Sequence, residues 1–156
     1  MDADRVADIL GELPITEILS SPSLRAWQTV TPLAARTALP IHEISDLRER
    51  EIGQWTAGNF DDAVRMTWEN PLFAHPGGET NLAAQERGVA VVRRVVTEHP
   101  NGDPVLATHG NLLALILQHF DPTIGFAYWR SLTRSDIHRL EISSDGAASI
   151  EHIWEP

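Results

Sequence analysis

The stretch "PVLATHGNLLALIL", Pro104 to Leu117, decides how the chain is read. Val105 to Ala107 is a short apolar run that predicts a buried strand. It stops at Thr108-His109-Gly110, and a second apolar run, Leu112 to Leu117, follows at once with helical periodicity. A histidine thus stands where a strand passes into a helix. There its imidazolium can stabilise an anion, helped by the N–H groups of Gly110 and Asn111 at the helix start. The alternative is a packed histidine in a turn, and this stretch by itself does not separate the two.

Working outward, Asp2 to Leu13 shows a helical face at Val6, Ile9, Leu10 and Leu13, and "ITEILSS", Ile15 to Ser21, predicts a strand. Ser23 to Leu39 predicts a helix with Leu24, Trp27, Val30, Leu33 and Ala34 inward, ended by Pro40. "IHEISDL" is expected to be extended, and Phe60 to Trp68 a short helix. "NPLFAHPGGET" reads as a Pro/Gly loop. Asn81 to His99 predicts a longer helix striped by Leu82, Val89, Val92, Val95 and Val96. Ile124 to Leu132 is a loop or short helix. "SDIHRLEIS" and "AASIEHIWE" alternate apolar and polar residues across a turn, as a hairpin does. Strands alternating with helices predict one α/β domain over residues 1–156, three-layered, with a mostly parallel sheet and helices on both faces. Such sheets bind ligands outside the carboxyl ends of their strands, where "SSPSLR" and "THGN" both fall.

Composition narrows the function. The 156 residues are 42% hydrophobic and 22% charged, ordinary for a globular domain. There is no cysteine, which excludes disulfides, thiolate metal sites and a cysteine nucleophile. The net charge of −10 argues against nucleic acid and anionic membrane surfaces as partners. No apolar run approaches the roughly 20 residues that span a bilayer, and a cytoplasmic location is the expectation. All twelve basic residues are arginine, so a lysine Schiff base and a P-loop are ruled out.

Four places can carry chemistry. Arg25 lies near the start of a helix, where a guanidinium and free N–H groups suit a phosphate; an arginine on a solvated face is the plain alternative. Glu49, in "DLREREIGQW", can serve as a general acid beside a phosphate, or simply pair with its arginine neighbours along with Glu51. Glu79 and Thr80, in "HPGGET", either cap the following helix or reach into a pocket. His109 is the fourth.

Taken as a set and in order, "SSPSLRAWQT", "LREREIGQW", "PGGET" and "VLATHGNLL" resemble the histidine phosphatase superfamily, the phosphoglycerate-mutase-like fold, over nearly the whole chain. The resemblance implies a phosphate pocket at the carboxyl edge of the sheet and a phosphohistidine intermediate, without a cofactor or metal. It implies that Arg25 is the pocket arginine, Glu49 the proton donor and His109 the second histidine. Gly110 and Asn111 would offer backbone contacts, with Glu79 and Thr80 near the pocket. The expected partner is a small phosphorylated substrate or phosphate, and a homodimer is compatible with the sequence.

In that family the nucleophile ends a first strand in Arg-His-Gly. Here the dipeptide His-Gly occurs once, at His109-Gly110, and "MDADRVADIL" resembles the helix that follows that strand. The expectation is that the first strand is absent from these residues, either because Met1 is a start internal to a longer gene or because the chain is a truncated, nucleophile-free descendant, and physics favours the first. An interior strand cannot be deleted cheaply, since each unpaired buried backbone group costs about 1–3 kcal/mol. The chain by itself is then expected to show little or no phosphatase activity. Hydrolysis is favoured over mutase action because the segment between Glu49 and Gly77 is short. A phosphate-binding module without catalysis is the alternative from another class. A metalloenzyme is a weaker one, since the seven histidines show no His-Glu-x-x-His. Specificity is assigned to residues 53–77 and 120–132, where Trp55, Trp68, Phe73, Tyr128 and Trp129 are either pocket walls or core.

Overall fold

The computed structural model describes residues 2–154 and 156. The elements run α1 (Asp2–Leu10), β1 (Ile15–Ser20), α2 (Leu24–Thr37), β2 (Ile41–Glu43), a 3-10 turn at Ser45–Leu47, α3 (Phe60–Glu69) and α4 (Asn81–Glu98). After them come β3 (Asp103–Ala107), α5 (Gly110–Phe120), α6 (Phe126–Ser131), β4 (Ile137–Ile142) and β5 (Ala148–Trp154). The strand and helix of the opening stretch are β3 and α5.

Three strands pair in parallel in the order β2-β1-β3, with Ile18 opposite both Ile41 and Val105. Alternation along β1 then sorts the layers. Ile18 packs with Val6, Ala7 and Leu10 of α1 and with Val30 and Leu33 of α2. Its neighbour Leu19 faces the other way, onto Val91 and Val95 of α4 and Leu47. Helices therefore cover both faces of a parallel sheet, as the alternating pattern predicts. α5 lies against α4 through Ala84, Val92, Leu112, Leu115 and Ile116. Gly88 permits this approach, since a Cβ there would stand 2.8 Å from the Ile116 side chain.

β4 and β5 form the expected antiparallel hairpin, separate from the parallel sheet; Glu155, the last residue of its predicted second strand, lies outside the described residues. Among the described residues, β3 pairs on one edge only, with β1, and β4 pairs only with β5. Every residue of both strands lines a cleft of about 1250 Å³. Val6 and Leu10 line its far end, and Arg25, His109 and Gly110 line it at the carboxyl end of the sheet. Native cores hold few voids larger than a water molecule, so a space this size is not a packing defect.

Three local readings differ in the structure. Leu24, expected inward, is 72% exposed, because it opens α2 beyond the edge of the sheet. Leu82 and Val96 of the α4 stripe are also exposed, whereas Ala84, Gly88 and Val91 are buried. α4 is covered by the sheet on one side and by α5 on another, so its buried face is wider than a single stripe. "IHEISDL" is extended only over β2 and then turns in the 3-10 segment.

Candidate active site

The carboxyl ends of β1 and β3 deliver Ser20-Ser21 and Thr108-His109 side by side, because Ser20 and Ala107 are register partners. The Ser21 N–H donates to Ala107 O at 2.9 Å, which carries the pairing one residue beyond the strand. Here two chain segments separated in sequence meet. His109 Nε2 lies 2.8 Å from Ser21 Oγ, and Arg25 Nη2 lies 3.4 Å from His109 Nδ1. Arginine can only donate, so Nδ1 is the acceptor and Nε2 carries the proton given to Ser21. His109 is 9% exposed. Burial pushes its pKa below the usual histidine value, the nearby Arg25 and Arg87 push the same way, and Glu49 opposes them. An arriving anion would add to the effect of Glu49 and favour the imidazolium.

His109 is also the N-cap residue of α5, in extended conformation and without a side-chain capping bond. The cap comes from elsewhere. Glu49 Oε2 accepts from Asn111 N at 3.0 Å, and Oε1 accepts from Leu112 N at 2.9 Å and Arg50 N at 2.8 Å. A carboxylate thus satisfies two of the helix's leading N–H groups and sits at the positive end of its dipole. Oε2 accepts one bond where two lone pairs are available, which leaves a place for a proton. Gly110 opens the helix, so its own N–H has no intrahelical partner.

The pairing of Glu49 and Glu51 with their arginine neighbours does not form. Arg48 reaches Asp46, while Arg50 turns inward, 5% exposed, and donates to Thr67 Oγ1 at 2.8 Å and Asn81 Oδ1 at 3.0 Å. Desolvation lowers its pKa against the pull of Glu49, Glu79 and Glu51. Asn111 is buried by a further contact, accepting from Trp68 Nε1 at 3.0 Å.

Arg25, Glu49, His109, Gly110 and Asn111 are thus brought together, except that the Asn111 N–H, expected to face an anion, is taken by Glu49, and Glu79 and Thr80 stand one step behind them. Glu79 holds Arg87 through both oxygens, at 2.8 and 2.9 Å. Arg87 in turn donates to the carbonyls of Asp46, Arg48 and Glu49, so the pair clamps the segment that carries Glu49. The Arg87 hydrogen bond is the main reason the Glu79 pKa is lowered. Thr80 caps α4, accepting from Ala83 N at 3.1 Å. Glycine makes the clamp compact: Gly53 has φ +79°, and a Cβ there would meet Gly78 N and Pro76 O at 2.6 Å.

Ser21 and Arg87 were not singled out from the sequence. Ser21 lies inside "SSPSLR" at a strand's carboxyl end, which is the signal that could have marked it; for Arg87, mid-helix, no local signal exists. The remaining histidines have other settings: His75 donates to Ala63 O at 2.9 Å, His99 pairs with Glu17, His119 accepts from Arg93, and His138 stacks on His152. His42 is exposed. Among the described residues, no three His, Asp or Glu side chains converge as metal ligands. Among the described residues, no helix is long and apolar enough to cross a membrane.

A strand-end histidine at a helix start, an arginine on it and a carboxylate beneath it are donors and an acceptor of the kind that suit an anion. The sequence matches the histidine phosphatase superfamily (branch 1) over residues 1–153, and the chain belongs to that family. Among its relatives, glucosyl-3-phosphoglycerate phosphatase of Mycobacterium tuberculosis is 31% identical over 125 residues, 70% of this chain and 56% of that protein. The chain therefore spans just over half the length of that relative. Bacillus stearothermophilus YhfR superposes with a TM-score of 0.76 at 25% identity, over 97% of this chain and 80% of that one. The mycobacterial glucosyl-3-phosphoglycerate phosphatase in complex with VO3 superposes equally, at 0.76 and 25%, over 97% and 81%.

Proposed function

We propose that this site handles the phosphoryl group of a small phosphorylated metabolite in phosphomonoester hydrolysis through a phosphohistidine intermediate. The observation that carries the reading is His109 at the carboxyl end of β3, bonded by Ser21 and Arg25 and backed by Glu49. His109 and Arg25 hold the phosphoryl oxygens, with the Gly110 N–H as a third donor. Clustered donors of this kind stabilise the charge spread over a phosphoryl group in transfer. Glu49 protonates the leaving alcohol. The relative that carries the name of a glucosyl-3-phosphoglycerate phosphatase supports a phosphorylated sugar or hydroxy acid among the substrates.

The nucleophile in this reading is a histidine on an extended strand lying between β3 and β4. The support is geometric: each strand has an edge unpaired within the described residues, both line one cleft, and His109 lines that cleft too. A strand there would pair with β3, and its end would meet the phosphate site. By themselves the 156 residues bind phosphate and turn over little or no substrate. Calorimetric titration with phosphate or vanadate tests the site: binding is expected, weakened at least tenfold by His109→Ala and by Arg25→Ala. Binding that is unaffected by both variants would place the anion elsewhere and sink the proposal.

A further inference from the structure

Above the phosphate site the cleft has an aromatic wall that the phosphoryl chemistry does not use. Trp129 and Phe60 line the same cleft as Arg25, His109 and Gly110. The Trp129 indole Nε1 stands 3.9 Å from where a Cβ on Gly110 would lie, which puts the ring directly beside the helix start that faces the phosphate. Phe60 follows at 6.2 Å between ring centroids, and Trp55 lies 5.7 Å beyond it. Phe60 is 48% exposed although it opens a helix with a full capping box. The capping box fixes its backbone, and its ring lies half in water between Trp55 and Trp129.

The wall is also braced by contacts between α6 and α3. Arg130 of α6 pairs with Asp61 of α3 at 3.0 Å, and the Arg65 guanidinium lies 4.9 Å from the centre of the Phe126 ring, which itself packs on Trp129 at 5.4 Å. These contacts join α6 to α3 without a ligand, which favours a preformed wall. Trp129 Nε1–H, moreover, donates to no acceptor among the described residues. A preformed aromatic face with a spare N–H, next to an anion site, suits one kind of ligand.

We infer that the substrate is a phosphomonoester whose alcohol carries a ring, aromatic or pyranose, seated on the Trp129–Phe60 wall with an oxygen accepting from the indole N–H. This rests on the phosphate-site reading and goes beyond it by naming the substrate class. Acyclic phosphates would fill the anion site and leave the wall in water. Contact between a ring and an aromatic face adds about threefold or more in affinity.

The test is calorimetric titration of the 156-residue chain with inorganic phosphate, ethyl phosphate, phenyl phosphate and glucose 6-phosphate. At least one ring-bearing ester is expected to bind about threefold or more tightly than ethyl phosphate, and which one does so distinguishes an aromatic ring from a sugar. Trp129→Ala and the half-exposed Phe60→Ala, each checked for folding by circular dichroism, are expected to bring that ratio toward one. Equal affinity for all three esters, or a ratio that both variants leave unchanged, overturns the ring inference while the phosphate site stands. No binding of inorganic phosphate overturns the phosphate site and the inference together.

Discussion

At the scale of single residues, His109 is held by groups that touch it and by groups that do not. Removing the Ser21 hydroxyl leaves the buried Nε2–H without its partner, at a cost of about 1–3 kcal/mol. Ser21→Ala should lower the urea midpoint accordingly, with an unchanged denaturant slope. Arg87 acts at a distance, through the carbonyls of residues 46, 48 and 49. Arg87→Met should cost about 2 kcal/mol, since Glu79 and three carbonyls lose a donor at once. Phosphate affinity should fall in the same variant, because the Glu49 cap of α5 loosens. A Tm loss with phosphate affinity intact would separate the clamp from the site.

At the scale of elements, the β4–β5 hairpin carries a pH dependence of its own. His138 and His152 are register partners whose rings stack at 4.3 Å in nearly parallel planes, and Tyr128 OH lies 2.6 Å from His138 Nε2. Burial, then the neighbouring His152, pushes the His138 pKa down to about 4. The unfolded chain takes up this proton near the ordinary value of 6.5, the folded one only near 4. The unfolded state therefore binds more protons across that window, and stability falls as pH drops from about 6.5 toward 4. His138→Gln should flatten this limb in urea titrations at successive pH values; an unchanged slope would show that the hairpin does not set it. Elements of this kind were legible in the sequence wherever period and turn agreed: the hairpin, β3–α5 and the Pro/Gly loop all stand where alternation and punctuation put them. Leu24 and Leu82 were misread because apolar spacing marks a helix face but not where the neighbouring layer ends. The capping of α5 by Glu49, from a loop 62 residues away, has no local signature at all.

At the scale of the whole molecule, the motifs showed which segments belong to the site, and the fold shows how they meet. Parallel pairing of β1 with β3 is what lays Ser21 beside His109, and α4 with its Arg87 is what holds Glu49 under α5. The cleft between β3 and β4 could be anticipated only from the resemblance, since a groove is a property of packed layers and not of any segment. In the function proposed above, this cleft takes a strand ending in Arg-His-Gly, completing a phosphatase in which His109 is the second histidine. The most direct measurement is hydrolysis of an aryl phosphate by the 156-residue chain, with and without such an apolar strand fused ahead of Met1. Turnover is predicted to appear only with the fused strand, and to vanish when its histidine is changed to alanine. Robust turnover by the 156 residues alone, abolished by His109→Ala, would contradict the account and make His109 the nucleophile.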